Sequence, residues 1–250
     1  MNANVTPTTD SDLYRRGTAT LLASWEEYAH GSSGAGLQRM AGVAAAVFPR
    51  GPEREFYNNA LLDRDLGPAE RAAAVDAMAA AYDAASVERY AAWVHESDEA
   101  MRAELSRRGY TIDESTRAMA MSLHAVPRAS PDIELAPPDW AEYLRILDVP
   151  AGLLHGVDRG AFHLLVARLA GTGVATAMAF DHDGDCGVFN VSTLEAARRQ
   201  GLGTALTARH LRDAIQRGCS TASLQSTPIA ERIYARLGFR DLGRILEYVP

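Results

Sequence analysis

The sequence predicts an α/β (α+β) protein built as two tandem domains, each a mixed, mostly antiparallel sheet flanked by helices. Three observations carry that expectation. An apolar strand-like run, Gly187 to Leu194, passes through a glycine turn into a helical pattern over 202–217. The alternation continues: Gly218 stops the helix, 221–226 reads as a short strand, and a second helix over 230–237 stops at Gly238-Phe239. Finally, the order strand, helix, strand, helix, Gly-aromatic occurs once earlier and closes on Gly109-Tyr110, an internal repeat of about 120 residues.

The elements follow in order. In the N-terminal half, residues 55–62 read as a strand, the alanine-rich stretch 69–84 as a helix and 90–95 as a strand. The segment 99–110 ends that half as 229–239 ends the other. Pro127, Pro131, Pro137 and Pro138 mark a break near 126–132, which gives expected domains over 1–128 and 132–250. Beyond it come a strand at 133–135, a helix over 140–147, and strands over 162–170 and 174–181. The turn 181–185 carries three aspartates, but it lacks the glycine at position six and the glutamate at position twelve of a calcium loop. It reads as a hairpin turn, and no metal site is expected.

Composition excludes several functions. Hydrophobic residues make up 47% of 250 residues, enough for a packed core. All basic residues are arginine, and the net charge of -7 argues against general nucleic-acid binding. Cys186 and Cys219 form neither a disulfide framework nor a metal spacing. Residues 1–16 are polar with no apolar leader core, and the longest apolar run, 40–48, is too short to span a membrane. The expectation is a cytoplasmic protein, monomer or homodimer, without a membrane or nucleic-acid partner.

The chemistry lies in Arg198-Arg199-Gln200-Gly201-Leu202-Gly203-Thr204-Ala205. A glycine turn between a strand and a helix presents first-turn amides that have no intrahelical partner, at the positive end of the helix dipole. Glycines there let a phosphate approach the backbone. The run ends in neither Gly-Lys-Ser/Thr nor a third glycine, so it is not a P-loop or a dinucleotide fingerprint. Arg/Gln-x-x-Gly-x-Gly/Ala after a strand resembles the acyl-CoA pyrophosphate loop of the GNAT superfamily of N-acetyltransferases. Ala230-x-x-x-Tyr234-x-x-x-Gly238-Phe239 resembles the second block of that superfamily. Thr227 stands where many relatives carry asparagine, so one contact to the CoA arm would differ.

The resemblance implies transfer of acetyl from acetyl-CoA to a primary amine of a small molecule, directly and without a covalent enzyme adduct. A protein or peptide N-acetyltransferase, or a non-catalytic CoA-sensing protein, are the alternatives. It implies that Arg198, Arg199, Gln200, Gly201, Gly203 and Thr204 hold the pyrophosphate, and that the strand edge at Val191 and Thr193 pairs with pantetheine. Tyr234 is implied as general acid, and Asn190 as a polar substrate contact. Glu247, His163, His155 and Asp148 are candidate bases, although water chains would serve as well. The first copy reads as degenerate. Residues 63–69 lack Gly-x-Gly and place Asp63 and Asp65 where they repel phosphate, and Leu105 falls where Tyr234 stands.

Overall fold

The computed structural model describes residues 8–50, 58–124, 126, 134–136, 139–149 and 156–250. The break over 127–132, Pro137, Pro138, positions 55–57 and 133 of two expected strands, and His155 lie outside the described residues. The elements in chain order are α1 (Asp10–His30), β1 (Gly36–Met40), β2 (Val43–Val47), β3 (Asn59–Leu62), α2 (Pro68–Ala84) and β4 (Ala91–His95). There follow α3 (Glu99–Arg107), β5 (Thr111–Ser122), β6 (Glu134–Ala136), α4 (Trp140–Leu147), β7 (His163–Leu169) and β8 (Thr172–His182). The chain closes with β9 (Asp185–Thr193), α5 (Leu202–Gln216), β10 (Thr221–Ser226), α6 (Glu231–Leu237) and β11 (Arg240–Val249). Long α1, the β1–β2 hairpin and β5 are not among the elements expected from sequence.

Two compact units draw on non-contiguous segments. One takes residues 22–117, 154–159 and 243–250. Its strands run in the order β1-β2-β3-β4-β11. The β1/β2, β2/β3 and β4/β11 pairs are antiparallel, and β3/β4 is parallel. A parallel pair needs a crossover, and α2 supplies it. Pro68 sits in the first turn of α2, where its missing N–H costs nothing. Ala74, Val75, Met78 and Tyr82 form its buried face at helical spacing and pack against Ala60, Ala92, Val94 and Leu246. Asp98 caps α3 by accepting from the Met101 amide at 2.9 Å.

The other unit takes residues 1–21, 118–153 and 160–242. Its strands run β10-β9-β8-β7-β6, antiparallel except for β9/β10. The crossover here is α5, which buries Ala205, Leu206, Ala208, Leu211 and Ala214. Leu211 is fully buried among Val188, Ala222 and Leu224, so truncating it to alanine costs about 2–5 kcal/mol. Asp183 (φ 46) and Gly184 (φ 73) form the two-residue turn joining β8 to β9, and their positive φ values match the right-handed twist of a hairpin. Asp139 caps α4, accepting from the Ala141 and Glu142 amides. In α1, Gly17 lies so close to β10 that a Cβ there would come within 2.7 Å of the Ser223 Cβ. No helix among the described residues is long and apolar enough to cross a membrane.

Candidate active site

The parallel pair β9/β10 is clamped at one end and open at the other. Pairing covers only Asp185↔Thr221, Cys186↔Ala222 and Ser223↔Gly187. Asp185 is buried at the clamped end and accepts from Thr221 Oγ1 (2.6 Å), Ser223 Oγ (2.7 Å) and Thr20 Oγ1 (2.8 Å). Three hydroxyl donors satisfy a carboxylate whose burial would otherwise be costly. Arg16 braces the same end, donating to Thr221 Oγ1 at 3.0 Å and to the Asp183 carbonyl at 2.9 Å. Past Gly187 and Ser223 the strands no longer pair, so the backbone of β9 over 188–193 is not closed off by β10.

Within that unpaired stretch β9 carries a bulge. Met178 opposes Phe189 and Thr176 opposes Ser192, so Asn190 and Val191 share the single position Ala177. A bulge of this kind bends a strand and re-aims its groups. Asn190 takes the left-handed conformation (φ 52), which asparagine tolerates better than most residues. Its amide donates to the Tyr143 hydroxyl at 2.7 Å.

The glycine turn follows. A short 3-10 turn, Glu195–Ala197, leads to Arg198. Arg199 has φ 63 and Gly201 has φ 81, so the backbone coils through two left-handed residues. Gly201 is the N-cap of α5; no side chain caps this end and no acidic residue lies in the first turn. The first intrahelical bond runs from the Ala205 amide to the Gly201 carbonyl, which leaves the amides of Leu202, Gly203 and Thr204 as the helix's unpaired donors. A Cβ at Gly203 would meet only Val191 Cγ1, at an ordinary 3.5 Å. The fold therefore does not require glycine there. Arg199 and Gln200 are exposed, and Arg198 Nε donates to the Thr193 carbonyl at 3.2 Å, tying the turn to β9.

Tyr234 lies on α6, buried against Phe239 with ring centroids 5.9 Å apart. Burial pushes its hydroxyl up to about 12. That hydroxyl has no hydrogen-bond partner among the described residues, and it is not one of the polar atoms sealed from solvent without a partner. The candidate bases lie apart. His163 Nε2 is 3.5 Å from Asp181 Oδ2, a carboxylate gripped by both Nε and Nη2 of Arg217. Burial opposes ionisation of Asp181, but Arg217 and His163 outweigh it and hold the carboxyl well below its usual range. Asp148 ends α4 in a left-handed conformation. Glu247 is buried on β11, opposite Trp93 of β4.

Sequence reasoning did not single out Asp185, Tyr143 or His210. His210, on α5, is fully buried; burial lowers its pKa to about 4, opposed by the bond its ring donates to the Ala177 carbonyl. A histidine or tyrosine on an apolar helix face looks like core, so no local signal marks either.

Residues 160–241, which include the glycine turn and Tyr234, match the acetyltransferase (GNAT) domain family. That match assigns the protein an acetyltransferase domain. The whole fold is similar to that of a GCN5-related N-acetyltransferase from Kribbella flavida (TM-score 0.72, 22% identity, 94% of each chain covered). It is also similar to the GCN5-related N-acetyltransferase from Sphaerobacter thermophilus (TM-score 0.60, 14% identity, 97% of this chain and 93% of that one). A third similarity is to a fungal multi-domain GH3 β-N-acetylglucosaminidase containing a GCN5-related glucosamine N-acetyltransferase region (TM-score 0.55, 14% identity, 86% of this chain and 31% of that one). No curated protein matches the chain in sequence.

Proposed function

We propose that the protein transfers acetyl from acetyl-CoA to the primary amine of a small molecule, with residues 132–250 as the catalytic domain. The observation that carries this reading is the uncapped start of α5 beside the unpaired stretch of β9. The amides of Leu202, Gly203 and Thr204, with the backbone around Arg199, Gln200 and Gly201, suit a pyrophosphate. Arg198 and Arg199 add positive charge. The free edge of β9 at Val191 and Thr193 suits the pantetheine amides, as an added strand would. A β9 amide near the bulge then polarises the thioester carbonyl.

The chemistry balances simply. The amine nitrogen attacks the thioester carbonyl carbon, a C–N bond forms and the C–S bond breaks. The proton lost by nitrogen replaces the acyl group on sulfur, directly or through water. Tyr234 keeps its proton at neutral pH. Full transfer from a phenol near 12 to a thiolate whose acid is near 8.5 is uphill. Tyr234 therefore acts by hydrogen-bonding the sulfur as charge develops. Asn190 gives one N–H to Tyr143, which leaves its second N–H and its carbonyl oxygen for a substrate contact.

The first half reads as a copy that lost this chemistry. β3-α2-β4-α3 ends at Gly109 (φ 90) as β9-α5-β10-α6 ends at Gly238 (φ 104), each around one parallel pair. In the first, Leu105 takes the place of Tyr234 and is fully buried.

Free-thiol release from acetyl-CoA with a panel of small amines tests the reading, with cytoplasmic extract peptides as a second acceptor set. Turnover on a small amine supports it. Turnover on peptides alone assigns the acceptor to protein, and CoA binding without turnover on either set favours a sensing role.

A further inference from the structure

The bulge on β9 is held from both faces of its sheet. Alternate residues of β8 face opposite ways. Ala175, Ala177 and Ala179 pack under α5, while Met178 faces α4, where the Tyr143 hydroxyl donates to its sulfur at 3.6 Å. The two bulge residues divide in the same way. Asn190 is bonded to Tyr143 of α4, and Val191 packs against Gly203 of α5. On the α5 side, the His210 ring donates to the carbonyl of Ala177, the residue that faces the bulge. Its other nitrogen, Nε2, is buried without a partner. The ring is thus neutral, with its one proton committed to Ala177. Tyr143 and His210 are both essentially inaccessible to solvent, so neither can meet a substrate directly.

The left-handed conformation of Asn190 is sparsely populated for a non-glycine residue and is held by surrounding contacts. Here the contacts are identifiable, and they bear on the stretch of strand that faces the open side of β9/β10. We propose that Tyr143 and His210 are positioning residues for acetyl transfer: from opposite faces of the sheet they fix the Asn190–Val191 bulge, and with it the β9 amides that meet the thioester. The inference rests on the acetyl-CoA reading above.

Three variants test it: Tyr143→Phe, which removes one oxygen and keeps the ring; His210→Leu, which removes the donor; and His210→Asn, which restores one near Nδ1. The readouts are kcat and KM for acetyl-CoA with the best amine of the panel, CoA affinity by calorimetry, and hydrogen exchange of segment 188–193. In Tyr143→Phe and His210→Leu, kcat falls about 10- to 100-fold, as expected when a reacting group is misplaced by a fraction of an ångström to an ångström. KM and CoA affinity stay within about threefold of wild type, because the pyrophosphate turn is untouched, and 188–193 exchanges faster while β7 does not. His210→Asn recovers most of the lost kcat. Unchanged kcat and unchanged 188–193 exchange in folded variants of a CoA-binding wild type overturn this inference alone. So does exchange that accelerates uniformly, which would mark a merely structural role. If His210→Leu does not fold, Tyr143→Phe decides by the same readouts. Failure of the wild type to bind CoA overturns the functional reading and this inference together.

Discussion

The two crossover helices, α2 and α5, start in opposite electrostatic states. At α2, Pro68 removes one amide donor and Glu70 folds back so that its Oε2 accepts from the Gly67 amide at 2.9 Å. The helix supplies its own anion at its positive end. At α5, no proline, no acidic residue and no capping side chain intervene, and Gly201 turns the chain in with φ 81. The same placement, after the first strand of a parallel pair, is satisfied from within in one unit and carries no acidic or capping side chain in the other. The proposed pyrophosphate site rests on that difference.

The sharpest way to break the comparison is to give α5 the start that α2 has. Thr204 is the third residue of α5, as Glu70 is of α2. Thr204→Glu is expected to weaken CoA binding about 1000-fold, since a carboxylate near a phosphate costs on the order of 4 kcal/mol. Calorimetry checks the affinity, and an unchanged or raised Tm shows that the fold survives.

A second contrast is the buried face of each helix. α2 buries Ala74, Val75, Met78 and Tyr82, whereas α5 buries His210, whose pKa burial lowers from about 6.5 to about 4. Between those values the unfolded chain binds a proton that the folded protein refuses. Stability is therefore full above about pH 6.5 and falls as the pH drops towards 4, by about 3 kcal/mol for this group alone. Denaturant titrations across that range should show the loss, and His210→Asn should flatten it.

Next comes Tyr234→Phe, expected to lower kcat about 100-fold with CoA affinity unchanged, because among the described residues its hydroxyl has no hydrogen-bond partner to lose. The corresponding change in the first unit, Leu105→Tyr, should create no activity and should destabilise by overpacking a fully buried position. The smallest effect is that of Glu70→Ala. It removes the α2 cap, costs about 1 kcal/mol in thermal or chemical unfolding, and leaves CoA affinity as it was.

What the sequence revealed and what it hid divide along local and non-local lines. Glycine and proline punctuate α2, α5, the 183–184 turn and the stops at Gly218 and Gly238, because each residue there answers to its own φ. Those elements appear within a residue or two of where the pattern puts them. α1 was not legible, since Gly17 lowers the local helix propensity at a point where only the close approach to Ser223, 206 positions downstream, calls for glycine. The bulge at Asn190 leaves no periodic trace, because it exists only relative to the register of β8. Asp185 reads as one more turn aspartate until Thr20, Thr221 and Ser223 converge on it. Likewise, the non-contiguous make-up of the two units depends on long-range pairing such as Leu246↔Val94, which no local signal announces.

The central claim is that the uncapped start of α5, which has no acidic residue in its first turn, binds the CoA pyrophosphate. A calorimetric titration of the full chain with CoA, run beside Thr204→Glu, tests it most directly. The account predicts one CoA per chain for the wild type and loss of that binding in the variant at unchanged Tm. No binding by folded wild type, two sites per chain, or undiminished affinity in Thr204→Glu would contradict it.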